Sequence, residues 1–271
     1  MKKHVLISIV LLLALSTASV YCQNQFRYVK NDAFGYGERL EYKVGVLSGP
    51  LSGVGGSGGL YINKNARTIT LPNGEKRECY EVNFWVDSEG LVETLHPIHD
   101  KYRTIIDVGG IFPYEFQQML REGSFKRDFK ASFDQINHFA NVGDKKYEVM
   151  EYVQDILSNM YLARTMDLSD KKIGDVIILS NFYKDTTYTL PVKIVKREVI
   201  KVPAGKFKTI VVQPGVAAGG LFKFTNNITI WITDDERKIP VKVATSVVIG
   251  NAGAELVRYS GIRGKIDAKI E

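Results

Sequence analysis

The feature that most constrains the fold is a strict alternation of apolar and polar residues near the C-terminus. In residues 226–233, three isoleucines alternate with asparagine, threonine and Trp231. Alternation with a period of two places the apolar side chains on one face of a β-strand. Pro203 and Gly205 specify a tight turn upstream, and the polar run 234–238 supplies a solvated hairpin loop downstream. This part of the chain is therefore predicted to form consecutive antiparallel strands.

The same alternation recurs along most of the chain, for example at residues 37–47, 79–86, 101–108 and 125–133. One segment, 153–166, instead spaces its apolar residues three and four positions apart, as an amphipathic helix does. We therefore predict a mainly β fold. It would be a large curled antiparallel sheet or open barrel, with one main helix at about 153–166 packed on it.

The first 22 residues have the pattern of a secretory signal peptide. Lys2 and Lys3 precede an apolar run, and small residues precede a predicted cleavage site after Cys22. The run is too short for a comfortable membrane span. A lipoprotein signal with an acylated Cys22 is the alternative, although Tyr21 stands where that motif has a small residue. We expect an exported protein, periplasmic or associated with the outer membrane, with no transmembrane span after cleavage.

The remainder is expected to fold around one core. Residues 23–260 would form a single β-rich domain, or two packed halves at about 34–150 and 151–260, followed by a charged, frayed tail at 261–271.

Without the leader, Cys79 is the only cysteine, so no internal disulfide can form. We expect Cys79 to be a part-buried strand residue and not a nucleophile, because nothing near it in sequence would lower its pKa.

Charge excludes one class of partner. The formal net charge is +6, from 36 basic and 30 acidic residues, but the two signs are interspersed along the chain. A nucleic-acid-binding surface usually shows clustered lysine and arginine. The sequence therefore predicts no nucleic-acid partner.

No motif carries a recognisable catalytic constellation. The glycine run at 49–59 lacks the Gly-Lys-Ser/Thr ending of a phosphate-binding loop, and neither a serine elbow nor an HExxH motif is present. His96 and His99, with Asp100 beside them, form the only clustered histidine motif and are candidate metal ligands, but Pro97 prevents a regular helix and no further ligand is apparent nearby. The sequence predicts no metal, no cofactor and no enzymatic activity. The alternative is a hydrolase-like site that folding assembles, which would require a deep cleft with His96, His99 and a distant acid in contact.

Several short segments together resemble an exported bacterial family catalogued as domain of unknown function 3108. They are 37–42 (Gly-Glu-Arg-Leu-Glu-Tyr), Asp100-Lys-Tyr, 155–164, 202–207 and 231–241. The resemblance implies an envelope location in a Gram-negative-type cell and no known activity, so no functional residue is carried over. More loosely, the tryptophan strand, acidic turn and Pro-Val return strand look like the periplasmic lipoprotein-carrier fold, in which a curled sheet is capped by helices over an apolar cavity.

Two functions follow as hypotheses. The first is binding of an apolar or lipidic ligand between the curled sheet and the helix, favoured by many large apolar residues on strand faces. Its candidate ligand contacts are Trp231, Met160, Tyr161 and Leu157. The alternative is a structural or assembly factor of the cell envelope that contacts another protein through sheet edges or a charged face. A large apolar cavity beneath the helix would favour the first hypothesis, and a filled interior the second.

Overall fold

The structure, a computed structural model, describes residues 26–48, 53–218, 221–223, 228–246 and 251–270. The predicted leader, 1–22, lies outside these residues. The N-terminal strands are β1 Arg39–Ser48, β2 Gly53–Ile62, β3 Arg67–Thr70, β4 Lys76–Ser88, β5 His99–Asp107, β6 Pro113–Glu122, β7 Phe125–Asp134, β8 Phe139–Val142 and β9 Lys145–Glu148. The C-terminal strands are β10 Val176–Tyr183, β11 Thr186–Val202, β12 Gly205–Pro214, β13 Val216–Ala218, β14 Leu221–Lys223, β15 Ile228–Thr233, β16 Pro240–Ser246 and β17 Asn251–Ser260.

Fifteen of these strands form one antiparallel sheet. Its order is β10-β11-β12-β15-β16-β17-β1-β2-β4-β5-β6-β7-β8-β9, and β3 pairs with β4. Strand β1 pairs with β17 on one side and with β2 on the other, so it joins the two halves of the chain in one sheet. The ends of this order, β9 and β10, do not pair with each other. This confirms the predicted mainly β fold with an unclosed sheet.

The sheet curls until a strand near one end, β7, packs through side chains on the strand at the other end, β10. Phe129 of β7 packs on Tyr183 of β10, with ring centroids 5.5 Å apart. Phe133 of β7 likewise packs on Phe182 of β10 at 5.9 Å. Aromatic rings bury large apolar areas, so these contacts hold the curl without a hydrogen-bonded ladder between the ends.

In the described ranges, two helices accompany the sheet: α1 Gly90–Leu95 and α2 Ile156–Thr165. Helix α2 lies within the segment that the sequence predicts as the main helix. Its residues Leu157 and Tyr161 belong to the main core cluster, which also contains residues from strands of both halves, such as Leu40 and Phe207. Among the described residues, no helix combines the length and the apolar composition needed to cross a membrane.

Helix α1 was not predicted from the sequence. It buries no residue, and Leu91 and Leu95 are 73% and 74% exposed. A six-residue helix without a buried stripe leaves no periodic pattern in the sequence. Its apolar residues therefore gave no helical signal.

The sequence predicts a frayed C-terminal tail, but the structure attaches residues 261–270 to the sheet. The amide of Lys208 on β12 donates to the carbonyl of Ala268 at 2.9 Å, and the amide of Ala268 donates to Asp235 Oδ2 at 2.9 Å. Ile266 and Ala268 are buried. These backbone bonds attach the charged segment to the sheet, because its few apolar residues dock while its lysines remain in solvent.

Candidate functional site

Helix α2 begins with a capping box that attaches its first turn to the sheet. Asp155 Oδ1 accepts hydrogen bonds from the amides of Leu157 (2.8 Å) and Ser158 (2.9 Å), and Ser158 Oγ accepts from the amide of Asp155 (2.8 Å). Asp155 Oδ2 also accepts from the hydroxyl of Thr104 on β5 at 2.6 Å. Burial raises the pKa of Asp155 to about 6, although these hydrogen bonds partly offset the shift.

The last turn of α2 is held by a buried ion pair. Arg164 and Glu38 are 2% and 0% exposed, and they form two hydrogen bonds of 2.6 and 2.7 Å in a bidentate pair. Arg164 also donates to the carbonyls of Arg237 (3.1 Å) and Ala33 (3.3 Å). Burial opposes the charge of Arg164, but Glu38 more than offsets this and the pKa of the guanidinium is raised. Both ends of α2 are thus fixed by buried polar contacts.

An apolar cavity of about 480 Å³ lies between α2 and the C-terminal part of the sheet. Its volume falls in the range of roughly 300–1,000 Å³ that small-molecule sites occupy. The helix contributes Ile156, Met160 and Ala163, and the sheet contributes Leu179, Leu190, Val192, Val212, Ile230 and Ile232. Ile228 also lines the cavity and is 44% exposed, so the cavity communicates with solvent at that strand end.

Strand register explains why the sheet side of the cavity is apolar. Ile230 of β15 lies opposite Val212 of β12 and opposite Val243 of β16, and all three line the cavity. Leu179 and Leu190 form the corresponding pair between β10 and β11. Residues directly opposite on paired strands point to the same face of a sheet. Ile230 therefore forms an apolar row with Val212 and Val243 that crosses the three strands β12, β15 and β16.

Three polar side chains line the same cavity: Asn159, Arg164 and Lys238. Asn159 donates through Nδ2 to the carbonyl of Ser180 at 2.9 Å, while its buried Oδ1 has no partner among the described residues. Arg164 is engaged with Glu38. Lys238 is only 8% exposed, so residues 234–238 are not the fully solvated hairpin loop that the sequence predicts.

The predicted ligand contacts on α2 divide between its two faces. Met160 lines the apolar cavity. Leu157 and Tyr161 point into the main core, where the ring of Tyr161 packs edge-on against Phe34 with centroids 4.6 Å apart. A ligand in the cavity would touch Met160 and not these two, whose assignment as ligand contacts stays a prediction.

Trp231, the fourth predicted contact, lies on the opposite face of β15 from the cavity. Its indole Nε1 donates to Glu198 Oε1 at 2.7 Å, and the ammonium of Lys242 lies 5.6 Å from the ring centroid. The neighbouring isoleucines, Ile230 and Ile232, face the cavity instead. The sequence identified the two faces of this strand, and the structure places the cavity on the isoleucine face.

The structure does not bring His96, His99 and Asp100 together. His99 bonds to Asp87 Oδ1 at 2.8 Å and to Glu93 Oε1 at 3.2 Å, and these contacts raise its pKa. Asp100 accepts from a backbone amide of β6 at 2.9 Å. In the part of the chain that the structure describes, no three His, Cys, Asp or Glu side chains are placed to hold a metal ion.

A second concave surface, the polar groove, lies on the outer face of the N-terminal strands. It encloses about 870 Å³ and is lined by polar, charged and aromatic side chains, including Arg39, Tyr61, Trp85, Arg103, Gln117 and Lys130. A side chain at position 59 would displace the indole of Trp85, because a β-carbon on Gly59 would lie 2.5 Å from its Nε1. The polar and charged lining of this groove distinguishes it from the apolar cavity, whose lining is mainly aliphatic.

Comparison with known proteins identifies the family. The family model described as "Protein of unknown function (DUF3108)" matches residues 56–257, so this chain belongs to that family, as the sequence motifs predicted. No curated protein matches the sequence. The chain is similar to the crystal structure of a β-barrel-like protein of domain of unknown function DUF1849 from Brucella abortus, with 10% identity and a TM-score of 0.52. That alignment covers 87% of this chain and 98% of the Brucella chain. At this identity the similarity shows the fold alone.

Proposed function

We propose that this protein is an exported, non-catalytic envelope protein that binds an apolar or lipidic ligand in the apolar cavity beneath α2. The observation that carries the proposal is an aliphatic space of about 480 Å³ at the position where the sheet would otherwise pack against its main helix. Apolar concavities of this size that open to solvent are typical of small-molecule sites. A space of this size and lining, open at one end, suits a guest molecule.

The walls of the cavity support a binding role because they are held in place. The bond of Asp155 to Thr104 of β5 fixes the first turn of α2 to the sheet, and the ion pair of Arg164 with Glu38, just before β1, fixes the last turn. A preformed site avoids the ordering cost that binding would otherwise carry. The helix can therefore keep the cavity open when no ligand is bound.

Uptake of the neutral probe N-phenyl-1-naphthylamine by the purified chain from residue 23 tests the proposal. We expect saturable fluorescence enhancement with wild type. Ala163→Trp should weaken it at least about tenfold, because the indole occupies the space that the probe needs. Thr165→Trp is the matched control, since Thr165 is on the same helix, is half-buried and does not line the cavity. No enhancement with wild type, or equal enhancement with Ala163→Trp, would contradict the proposal.

The polar groove supports a second candidate function, an assembly factor that holds another envelope protein. Its mixture of cations, amides and aromatic rings resembles the composition of protein interfaces more than that of lipid sites. Affinity capture from crosslinked envelopes, with wild type and Trp85→Ala compared, tests it. A partner that is captured reproducibly by wild type and lost from the variant would favour this function, and the absence of any reproducible partner would count against it.

A further inference from the structure

Lys238 is the unusual residue of the apolar cavity. It stands in the turn between β15 and β16, lines the cavity and is 8% exposed. Its φ is +43°, in the left-handed region that glycine, asparagine and aspartate adopt most readily. A glycine would satisfy this turn with less strain. The lysine therefore occupies a position where the backbone disfavours a side chain.

The ammonium group has no ion-pair partner within the described part of the chain. Burial lowers its pKa, Asp167, Asp235 and Glu236 partly offset this, and Arg237 adds to the lowering. The ammonium nitrogen is not among the fully buried polar atoms that lack a partner, so the stem of Lys238 is packed while its charged end keeps contact with solvent at the edge of the cavity.

The carboxylates around Lys238 all have other partners. Asp235 Oδ1 accepts from the hydroxyl of Thr233 at 2.8 Å and from the amide of Arg237 at 2.9 Å. Glu236 pairs with the side chain of Arg237. Asp167 accepts from the amide and hydroxyl of Ser169 at 2.9 and 2.7 Å. None of these acids compensates the lysine at contact distance.

The other cation that lines the cavity, Arg164, differs from Lys238 because its charge is paired. Arg164 pairs with Glu38 and donates to two backbone carbonyls, one of which belongs to Arg237 beside Lys238. Lys238 is thus the charged group that remains available at the polar end of an otherwise aliphatic cavity. A ligand that filled the aliphatic part would bring its head group against this ammonium.

We propose that the ligand is a single-chain amphiphile with one compact anionic head group, a carboxylate or a phosphate, which pairs with Lys238. The inference rests on the proposed function and deepens it. The hydrocarbon portion lies along the isoleucine face of β15, and the head group pairs with the ammonium at contact distance, where none of the described carboxylates does. Charge-assisted hydrogen bonds to this partly desolvated ammonium then select the anion over a neutral lipid of the same length.

Two probes with the same chain and different heads test this: cis-parinaric acid and its methyl ester. We expect wild type to bind the acid about tenfold more tightly than the ester, which corresponds to one charge-assisted hydrogen bond. Lys238→Met should remove this preference while the ester still binds as in wild type. Lys238→Gly should also lose the preference for the acid. Because glycine suits the left-handed backbone at this position, this variant shows the effect of removing the charge even if the methionine variant folds poorly.

Lys184→Met is the matched control. Lys184 also has a positive φ, of 64°, but it is exposed in the turn between β10 and β11 and does not line the cavity. This variant loses the same charge and should keep the wild-type preference for the acid. Displacement of bound acid by lauric acid or by dodecyl phosphate supports the inference and identifies the head group, and displacement by neither overturns it.

The outcomes separate the two proposals. If wild type binds acid and ester equally, or if both Lys238 variants keep the preference, the anionic head group is wrong while the apolar site stands. If neither probe binds wild type, the proposed function fails and this inference fails with it.

Discussion

Replacing Glu38 with glutamine should destabilise the protein by about 3–5 kcal/mol, because it leaves Arg164 charged, buried and short of its counter-ion. The structure supports the upper part of this range. The two side chains are 0% and 2% exposed, so water cannot replace the lost carboxylate, and two hydrogen bonds of 2.6 and 2.7 Å are weakened together. The carbonyls of Arg237 and Ala33 satisfy other donors of the guanidinium but carry no full charge.

A double-mutant cycle measures this pair. Urea denaturation of Glu38→Gln, Arg164→Met and the double variant, followed by circular dichroism, gives the free energy of unfolding of each. We expect the double variant to be at least about 2 kcal/mol more stable than the sum of the single effects predicts, because removing both charges leaves neither unpaired. Glu41→Gln is the control, since Glu41 also pairs with arginine but at the solvent face of β1, where about 1 kcal/mol or less is expected. Additive effects at Glu38 and Arg164, or a cost as small as that of Glu41→Gln, would refute the reasoning.

Two further predictions concern buried ionisable groups. The pKa of Asp155 is about 6 in the folded protein and about 3.9 in an unfolded chain, so between these pH values the folded state binds more protons than the unfolded state. As the pH falls from 7 to 4, the free energy of unfolding of wild type should therefore rise by up to about 3 kcal/mol relative to that of Asp155→Asn. A pH-independent difference between the two unfolding curves would contradict the raised pKa. Burial raises the pKa of Cys79 to about 12, so in the chain from residue 23 its thiol should react with Ellman's reagent at pH 8 only after unfolding by urea. Rapid labelling of the native protein would show that the strand is open at this position.

Local sequence patterns predict the strands and the main helix because both depend on short periodicities. Alternation in residues 226–233 assigned the isoleucines of β15 to one face, and the structure places that face in the cavity. The segment 153–166 contains α2, whose capping box is encoded within four consecutive residues starting at Asp155. These features need no knowledge of distant contacts.

The remaining features depend on contacts between distant parts of the chain. Arg164 and Glu38 are 126 positions apart, and neither residue type suggests burial on its own. Lys238 follows three acids in what resembles an ordinary polar hairpin loop, and it is buried only in the folded chain, where it lines the cavity together with residues of α2. Trp231 drew attention as a large aromatic residue on a polar face, but a hydrogen bond to Glu198 satisfies its indole on the side away from the cavity.

The measurement that tests the account most directly is photo-crosslinking with a diazirine-bearing fatty acid, followed by mapping of the labelled peptides by mass spectrometry. The account predicts saturable labelling on α2 near Met160 and on β15 near Ile230, competed by unlabelled fatty acid and lost in Ala163→Trp but not in Thr165→Trp. Labelling that is absent, that cannot be competed, or that falls mainly on the polar groove around Trp85 would contradict the claim that the apolar cavity is the binding site.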